Sequence, residues 1–116
     1  RAHEMNLIVG ACAKDLGEAK AISKLKNKPE FIAYEPPSLI GGNVSVSSEK
    51  TEIIQRVVKE IWEKKKIKIL CGAGIKNQED ARIAKKLGTK GLLVASGIVK
   101  ATNKEKSIME LCKGLM

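Results

Sequence analysis

The chain has 116 residues, of which 43% are hydrophobic, enough for the core of one modest domain but not of two. Its formal net charge is +9, and only three of its residues are aromatic. Because nucleic-acid surfaces combine basic with aromatic side chains, the composition argues against nucleic-acid binding. We predict that the lysine runs are solvated surface, with cations at helix C-termini, although a positive field can also steer an anionic small substrate.

Neither a membrane span nor a disulfide framework is indicated. No apolar run approaches the ~18 residues that a membrane helix needs, and no signal peptide opens the chain. Cys12, Cys71 and Cys112 are odd in number and far apart, with no pattern of a disulfide or a metal site. These features predict a protein of the reducing cytoplasm that holds no metal.

Residues 1–6 read like the last turn of a helix that leads into a strand, so we expect the chain to be part of a longer protein. After them, short apolar runs predict four buried strands, at residues 7–13, 31–34, 67–71 and 91–95. Helical patterns follow each strand, at residues 16–25, 49–64, 77–87 and 104–115. One of them opens with Asn77 followed by Asp80, a helix-capping pattern. The alternation predicts an α/β fold of four β-α units with parallel strands, forming one domain over residues 1–116.

The second β-α connection is the longest and runs from Glu35 to about residue 47, where two to six residues are usual. Glu35 directly follows the strand, at the edge where parallel sheets bind ligands. Prolines stiffen one end of the connection, glycines loosen the other, and its middle is apolar. This composition predicts a hinged lid that excludes water, comprising Pro36, Pro37, Ser38, Leu39 and Gly42.

The third and fourth strands lead into turns of small residues, Cys71-Gly72-Ala73-Gly74 and Ala95-Ser96-Gly97. Either turn alone is explained by tight chain reversal. In successive units, however, their backbone N–H groups can cradle a phosphate without bulky side chains in the way. The sequence therefore predicts a phosphate site beside Glu35.

Four segments, taken in order and spacing, resemble strands six to eight of archaeal triosephosphate isomerases. They are Tyr34-Glu35-Pro36-Pro37, Leu39-Ile40-Gly41, Leu70-Cys71-Gly72-Ala73-Gly74-Ile75 and Leu93-Val94-Ala95-Ser96-Gly97. The resemblance implies the C-terminal half of a (β/α)8 barrel, whose usual chain has about 250 residues. The implied enzyme is an aldose-ketose isomerase of glycolysis and gluconeogenesis that interconverts dihydroxyacetone phosphate and D-glyceraldehyde 3-phosphate without a cofactor.

The resemblance also implies residue roles. Glu35 would be the base that moves a proton between C1 and C2 through an enediol(ate). The phosphate site would be formed by Ile40, Gly41, Gly74, Ala95 and Ser96. A homotetramer or homodimer is expected, as is a missing N-terminal half that carries the family's catalytic Lys and His. The lid departs from the family pattern at Gly42-Asn43.

On this first hypothesis the chain is part of an isomerase and is inactive by itself. A second hypothesis that stays open is a half-barrel that binds phosphate or self-associates without catalysing a reaction. A third, less favoured hypothesis is a phosphate-binding barrel enzyme of unrelated chemistry.

Overall fold

The computed structural model describes residues 1–40, 44–45 and 51–116. Four parallel strands form one sheet in chain order, β1 (Gly10–Ala13), β2 (Phe31–Tyr34), β3 (Lys68–Cys71) and β4 (Gly91–Leu92). Between and after them lie α1 (Leu16–Ser23), α2 (Thr51–Val57), α3 (Gln78–Lys86), α4 (Ser96–Val99) and α5 (Lys104–Leu115). The helix that begins with α2 continues as a π-helix over Val58–Glu63. The predicted α/β architecture of four β-α units is confirmed.

One face of the sheet, which alternate strand residues line, packs against the helices. Tyr34 of β2 pairs with Ala13 of β1 and Cys71 of β3, and all three side chains are almost completely buried. The π-helix completes this core, because Ile61 is fully buried beside the strand residues Ile32 and Ile69. The core therefore lies between one face of the sheet and the helices.

The other face of the sheet is more open. Cys12 of β1 is exposed, Phe31 and Leu70 are partly exposed, and Leu93, just after β4, is 43% exposed. Ala33 is buried on this face because Cys12 and Leu70 flank it in register. Because side chains alternate along a strand, Glu35, two residues after Ala33, lies on this open face.

Three predicted strands are longer than the observed ones, the third by the single residue that precedes Lys68. The first begins at Gly10 rather than residue 7, because the Val9 N–H donates to the Glu30 carboxylate (2.6 Å) and not to a strand carbonyl. The last ends at Leu92 rather than residue 95, since its neighbour β3 itself ends at Cys71. Beyond Leu92, the hydrogen bonds between the two strands continue for one residue, with the Leu93 N–H donating to the Cys71 carbonyl oxygen.

The predicted helices differ from the observed ones mainly at their ends. The first stops at Ser23 instead of residue 25, and the start predicted for the second, at residue 49, lies outside the described residues. The short helix α4 was not predicted. No helix among the described residues is both long and apolar enough to span a membrane.

The lysine runs lie at the surface as predicted. Lys64, Lys65 and Lys66 are exposed at the end of the π-helix, and Lys64 pairs with Glu60 one turn earlier (3.0 Å). Lys85, near the end of α3, donates to the carbonyl oxygens of Leu115 and Met116. Exposed pairs of this kind contribute little to stability, so the fold depends on the apolar core.

Helices α3 and α5 pack closely against each other, and Gly114 permits this contact. A Cβ atom at this position would lie 2.3 Å from the Gln78 carbonyl oxygen and 2.6 Å from the Ala81 Cβ. Both distances are well inside van der Waals contact, and backbone cannot move aside as a flexible side chain does. The two helices therefore approach only because residue 114 has no side chain.

We expect the substitution Gly114→Ala to lower the free energy of unfolding by roughly 1–3 kcal/mol, the cost of overpacking a close contact. Urea denaturation measures the change. The control is Lys113→Ala on the exposed face of the same helix, which should change stability by less than about 0.5 kcal/mol. A Gly114→Ala protein as stable as its parent would contradict the packing described here.

Candidate active site

The carboxyl ends of β1 to β4 are joined by hydrogen bonds that continue the parallel pairing beyond the paired residues. The Glu35 N–H donates to the Ala13 carbonyl oxygen (2.8 Å), and the Gly72 N–H donates to the Tyr34 carbonyl oxygen (2.9 Å). The Leu93 N–H donates in the same way to Cys71 (2.9 Å). The ends of all four strands therefore reach the same edge of the sheet, with Glu35 at the end of the second.

Gly72 makes room for the Glu35 side chain. A Cβ atom on residue 72 would lie 2.5 Å from the Glu35 Cγ and 3.0 Å from its Oε1. The turn after β3 thus has to begin with a residue that lacks a side chain if the carboxylate is to lie over the open face. Glu35 is partly buried in this position.

A pocket of about 330 Å³ opens beside the Glu35 carboxylate, within the size range of small-molecule sites. The strand ends form its walls, and most of its lining is small or apolar. Five of the residues predicted for the site line it together: Glu35, Ile40, Gly74, Ala95 and Ser96. The turns after β3 and β4 thus face one another across a single pocket that also contains the carboxylate.

The family model for triosephosphate isomerase matches residues 2–114. The chain belongs to the triosephosphate isomerase family. The chain's four parallel β-α units accordingly correspond to half of the family's barrel.

Curated archaeal relatives agree with the family assignment. The triosephosphate isomerase of Thermoplasma volcanium is 45% identical over 97% of this chain and 52% of its own length. That of Cenarchaeum symbiosum is 43% identical over 99% of this chain and 51% of its own length. That of Methanocaldococcus jannaschii is 46% identical over 88% of this chain and 46% of its own length. The chain spans about half the length of the curated relatives it matches.

A solved structure shares the backbone arrangement. The thiamine phosphate pyrophosphorylase from Pyrococcus furiosus superimposes with a TM-score of 0.72 at 27% identity, over 98% of this chain and 52% of that protein. The similarity again extends over half of the longer protein.

The described residues predicted to form a lid border two different cavities. Pro37–Leu39 forms a 3-10 turn in which the Leu39 N–H donates to the Pro36 carbonyl oxygen (2.9 Å). Leu39 is buried in the core and also lines the Glu35 pocket, whereas Ile40 lies at its rim and is 61% exposed. Gly41, Gly42 and Asn43 lie outside the described residues.

Pro36, Pro37 and Ser38 border a different cavity. This second cavity, of about 690 Å³, lies between the β1–α1 turn and α2, and Lys14, Asp15, Glu52 and Arg56 contribute its charged side chains. The segment that follows Glu35 therefore separates the two cavities.

Several residues of the Glu35 pocket had not been predicted. Ile75, Lys76 and Val94 line it, and Lys76 brings a cation to the turn after β3. Lys76 lies only two residues beyond Gly74, so the same turn signal that identified the glycine could have included the lysine. Its inclusion requires knowing which way the turn runs, and that is a property of the folded chain.

Cys12 is a further neighbour of Glu35 that the sequence did not reveal. Partial burial raises the pKa of the Cys12 thiol, and the charge of Glu35 and a hydrogen bond to that carboxylate raise it further. Strand alternation places Cys12 on the open face of β1, opposite Ala33, with Glu35 two residues beyond Ala33. By contrast, burial among apolar side chains raises the pKa of Cys71 to about 11.

We expect Glu35→Gln to lower the pKa of Cys12. The Glu35 carboxylate disfavours the thiolate, so a neutral amide should increase the thiolate fraction at any pH below the thiol pKa. The pH profile of iodoacetamide alkylation at Cys12, followed by peptide mass spectrometry, should therefore shift to lower pH. Cys112, exposed on α5, is the internal control and should keep its profile. An unshifted Cys12 profile would show that the two side chains do not interact.

Proposed function

We propose that this chain is the C-terminal half of a triosephosphate isomerase, which interconverts dihydroxyacetone phosphate and D-glyceraldehyde 3-phosphate. The observation that carries the proposal is the shared pocket, in which the Glu35 carboxylate faces the small-residue turns that contain Gly74 and Ser96. Isomerising a phosphorylated triose requires a base that removes a proton from carbon and a site that binds the phosphate group. The pocket offers a candidate for each. Membership of the triosephosphate isomerase family makes this reaction the natural assignment.

In the proposed reaction, Glu35 removes a proton from C1 of dihydroxyacetone phosphate and returns it to C2 through an enediol(ate). The phosphate lies against the backbone of Ile40, Gly41, Gly74, Ala95 and Ser96. Gly72 supports the geometry because it leaves the space into which the Glu35 side chain extends. The apolar side chains of Leu39 and Leu93 beside the pocket reduce its contact with water, which strengthens electrostatic interactions inside it.

The remaining chemistry belongs to residues outside this chain. Stabilising the negative charge that develops on the substrate oxygen requires fixed hydrogen-bond donors or cations. The family's catalytic Lys and His, which we place in the missing N-terminal half, would supply them. The open face of the sheet, with Cys12, Phe31 and Leu93, would then be covered by that half. We accordingly expect the 116-residue chain alone to be inactive.

The two alternatives make different predictions for Glu35. A half-barrel that only binds phosphate has no use for a base, and an unrelated phosphate enzyme would use different groups. The likeness to the Pyrococcus furiosus protein shows that this backbone also occurs in a structure described as a pyrophosphorylase. The cytoplasmic location and the homo-oligomeric state, tetramer or dimer, stay predictions.

In the full-length protein, Glu35→Gln should lower kcat by about 10³-fold while changing KM much less, because the amide keeps the shape of the side chain but cannot accept a proton. A coupled assay of triose phosphate interconversion measures both constants.

The matched control is Glu105→Gln, the same chemical change at an exposed position in the first turn of α5. Its kcat should equal that of the parent. A Glu35→Gln protein that retains most of its turnover would exclude Glu35 as the base and favour an enzyme of different chemistry.

A further inference from the structure

Asp80, in the first turn of α3, is a fully buried acidic residue that the proposed reaction does not use. Burying a carboxylate is unfavourable unless it is paired or hydrogen-bonded. Replacing a buried polar group together with its partners by apolar residues often leaves stability unchanged or improves it, so stability alone is a weak reason for its presence. The contacts of Asp80 indicate another reason.

The Asp80 carboxylate accepts hydrogen bonds from two separate segments. On one side, the Lys76 N–H donates to its Oδ2 (3.0 Å). On the other, the Ser45 hydroxyl donates to its Oδ1. An ionised carboxylate only accepts, so it satisfies both donors at once.

The first of these bonds departs from the capping pattern in the sequence. Asn77 caps α3 as expected, since its Oδ1 accepts from the Asp80 N–H (3.0 Å). In a capping box the third helical side chain returns to the N–H of the cap residue itself. Here the carboxylate bonds instead to Lys76, one residue earlier, and so holds the turn between β3 and α3.

That turn is a wall of the Glu35 pocket. Residues 72–76 all line the pocket, and Gly74 is one of the residues proposed to hold the phosphate. Ser45 contacts the same turn directly, because its hydroxyl lies 3.5 Å from the Gly74 carbonyl oxygen. Asp80 thus links Ser45 to the turn that contains Gly74. Ser45 itself lies five residues after Ile40, which lines the same pocket.

We propose that Asp80 is a positioning residue of the phosphate site. Its buried carboxylate holds the turn after β3 and the segment at Ser45 in the relative placement that the pocket needs to bind phosphate. This inference rests on the proposed function, since it assigns phosphate binding to the Gly74 side of the pocket. Asp80 itself does not line the pocket, so it acts through Lys76 and Ser45.

The test is Asp80→Asn in the full-length protein. The amide keeps the size of the side chain but turns one acceptor into a donor, which cannot serve both the Lys76 N–H and the Ser45 hydroxyl. We expect the Kd for inorganic phosphate, measured by calorimetry, and the KM for dihydroxyacetone phosphate each to rise by about tenfold. The kcat should change by less than about threefold, because Glu35 is untouched.

Ser45→Ala tests the same link from the other side and leaves the buried carboxylate in place. It should raise the Kd for phosphate by about threefold, and the double variant should bind phosphate no more weakly than Asp80→Asn alone, since the two residues act through one contact. If Asp80→Asn does not fold, Ser45→Ala decides the question alone. The control is Glu79→Gln, an exposed neighbour of Asp80, which should leave both Kd and KM unchanged.

A parental Kd and KM in the folded Asp80→Asn and Ser45→Ala proteins would overturn the inference. It would also be overturned if Asp80→Asn lowered only Tm while its folded fraction bound phosphate normally, because the role would then be structural. These outcomes differ from failure of the proposed function, in which the parent protein itself neither isomerises triose phosphates nor binds phosphate. That last result would overturn both.

Discussion

The hydrogen bond from the Gly72 N–H to the Tyr34 carbonyl oxygen fixes the relation between the two strand ends on which the site depends. It aligns the end of β3 with the end of β2, so that the residue after Cys71 lies beside the residue after Tyr34. Because residue 72 is a glycine, the Glu35 carboxylate occupies the space where a side chain would be. The turn that follows, residues 72–76, lines the pocket. For this reason the proposed base, Glu35, lies close to the turn proposed to bind the phosphate.

The hydrogen bonds of the buried Asp80 carboxylate are a second constraint on the pocket. The turn after β3 is short and consists largely of small residues, which by themselves favour no single conformation. The buried carboxylate of Asp80 and the Ser45 hydroxyl supply the contacts that the small side chains lack. Small residues therefore leave the pocket open, while the hydrogen bonds of Asp80 hold the turn that lines it.

Much of this arrangement follows from local sequence patterns. The four apolar runs and the helical periodicity predict the β-α units, because burial on one face of a helix or both faces of a strand is a local requirement. Glu35, Gly74 and Ser96 were identified from their position after strands, and the structure brings them into one pocket. Parallel topology makes that possible without any knowledge of tertiary contacts.

Several features that were not predicted are consequences of distant contacts. The lengths of β1 and β4 depend on Glu30 and on the end of β3, which no local pattern contains. That Pro36 and Ser38 face a second cavity, while Leu39 faces the first, depends on how a 3-10 turn packs. The approach of Cys12 to Glu35 depends on strand register, and the link between Asp80 and Ser45 joins residues 35 positions apart.

In the proposed reaction, one pocket holds both the base and the phosphate of a triose substrate. A crystal structure of the full-length protein with dihydroxyacetone phosphate bound would test this arrangement. We expect the phosphate to lie against the backbone of Gly74 and Ser96, with a Glu35 carboxylate oxygen within roughly 3 Å of the reacting carbon atoms. A substrate bound elsewhere, or one whose phosphate lies in the second cavity beside Lys14 and Arg56, would contradict it.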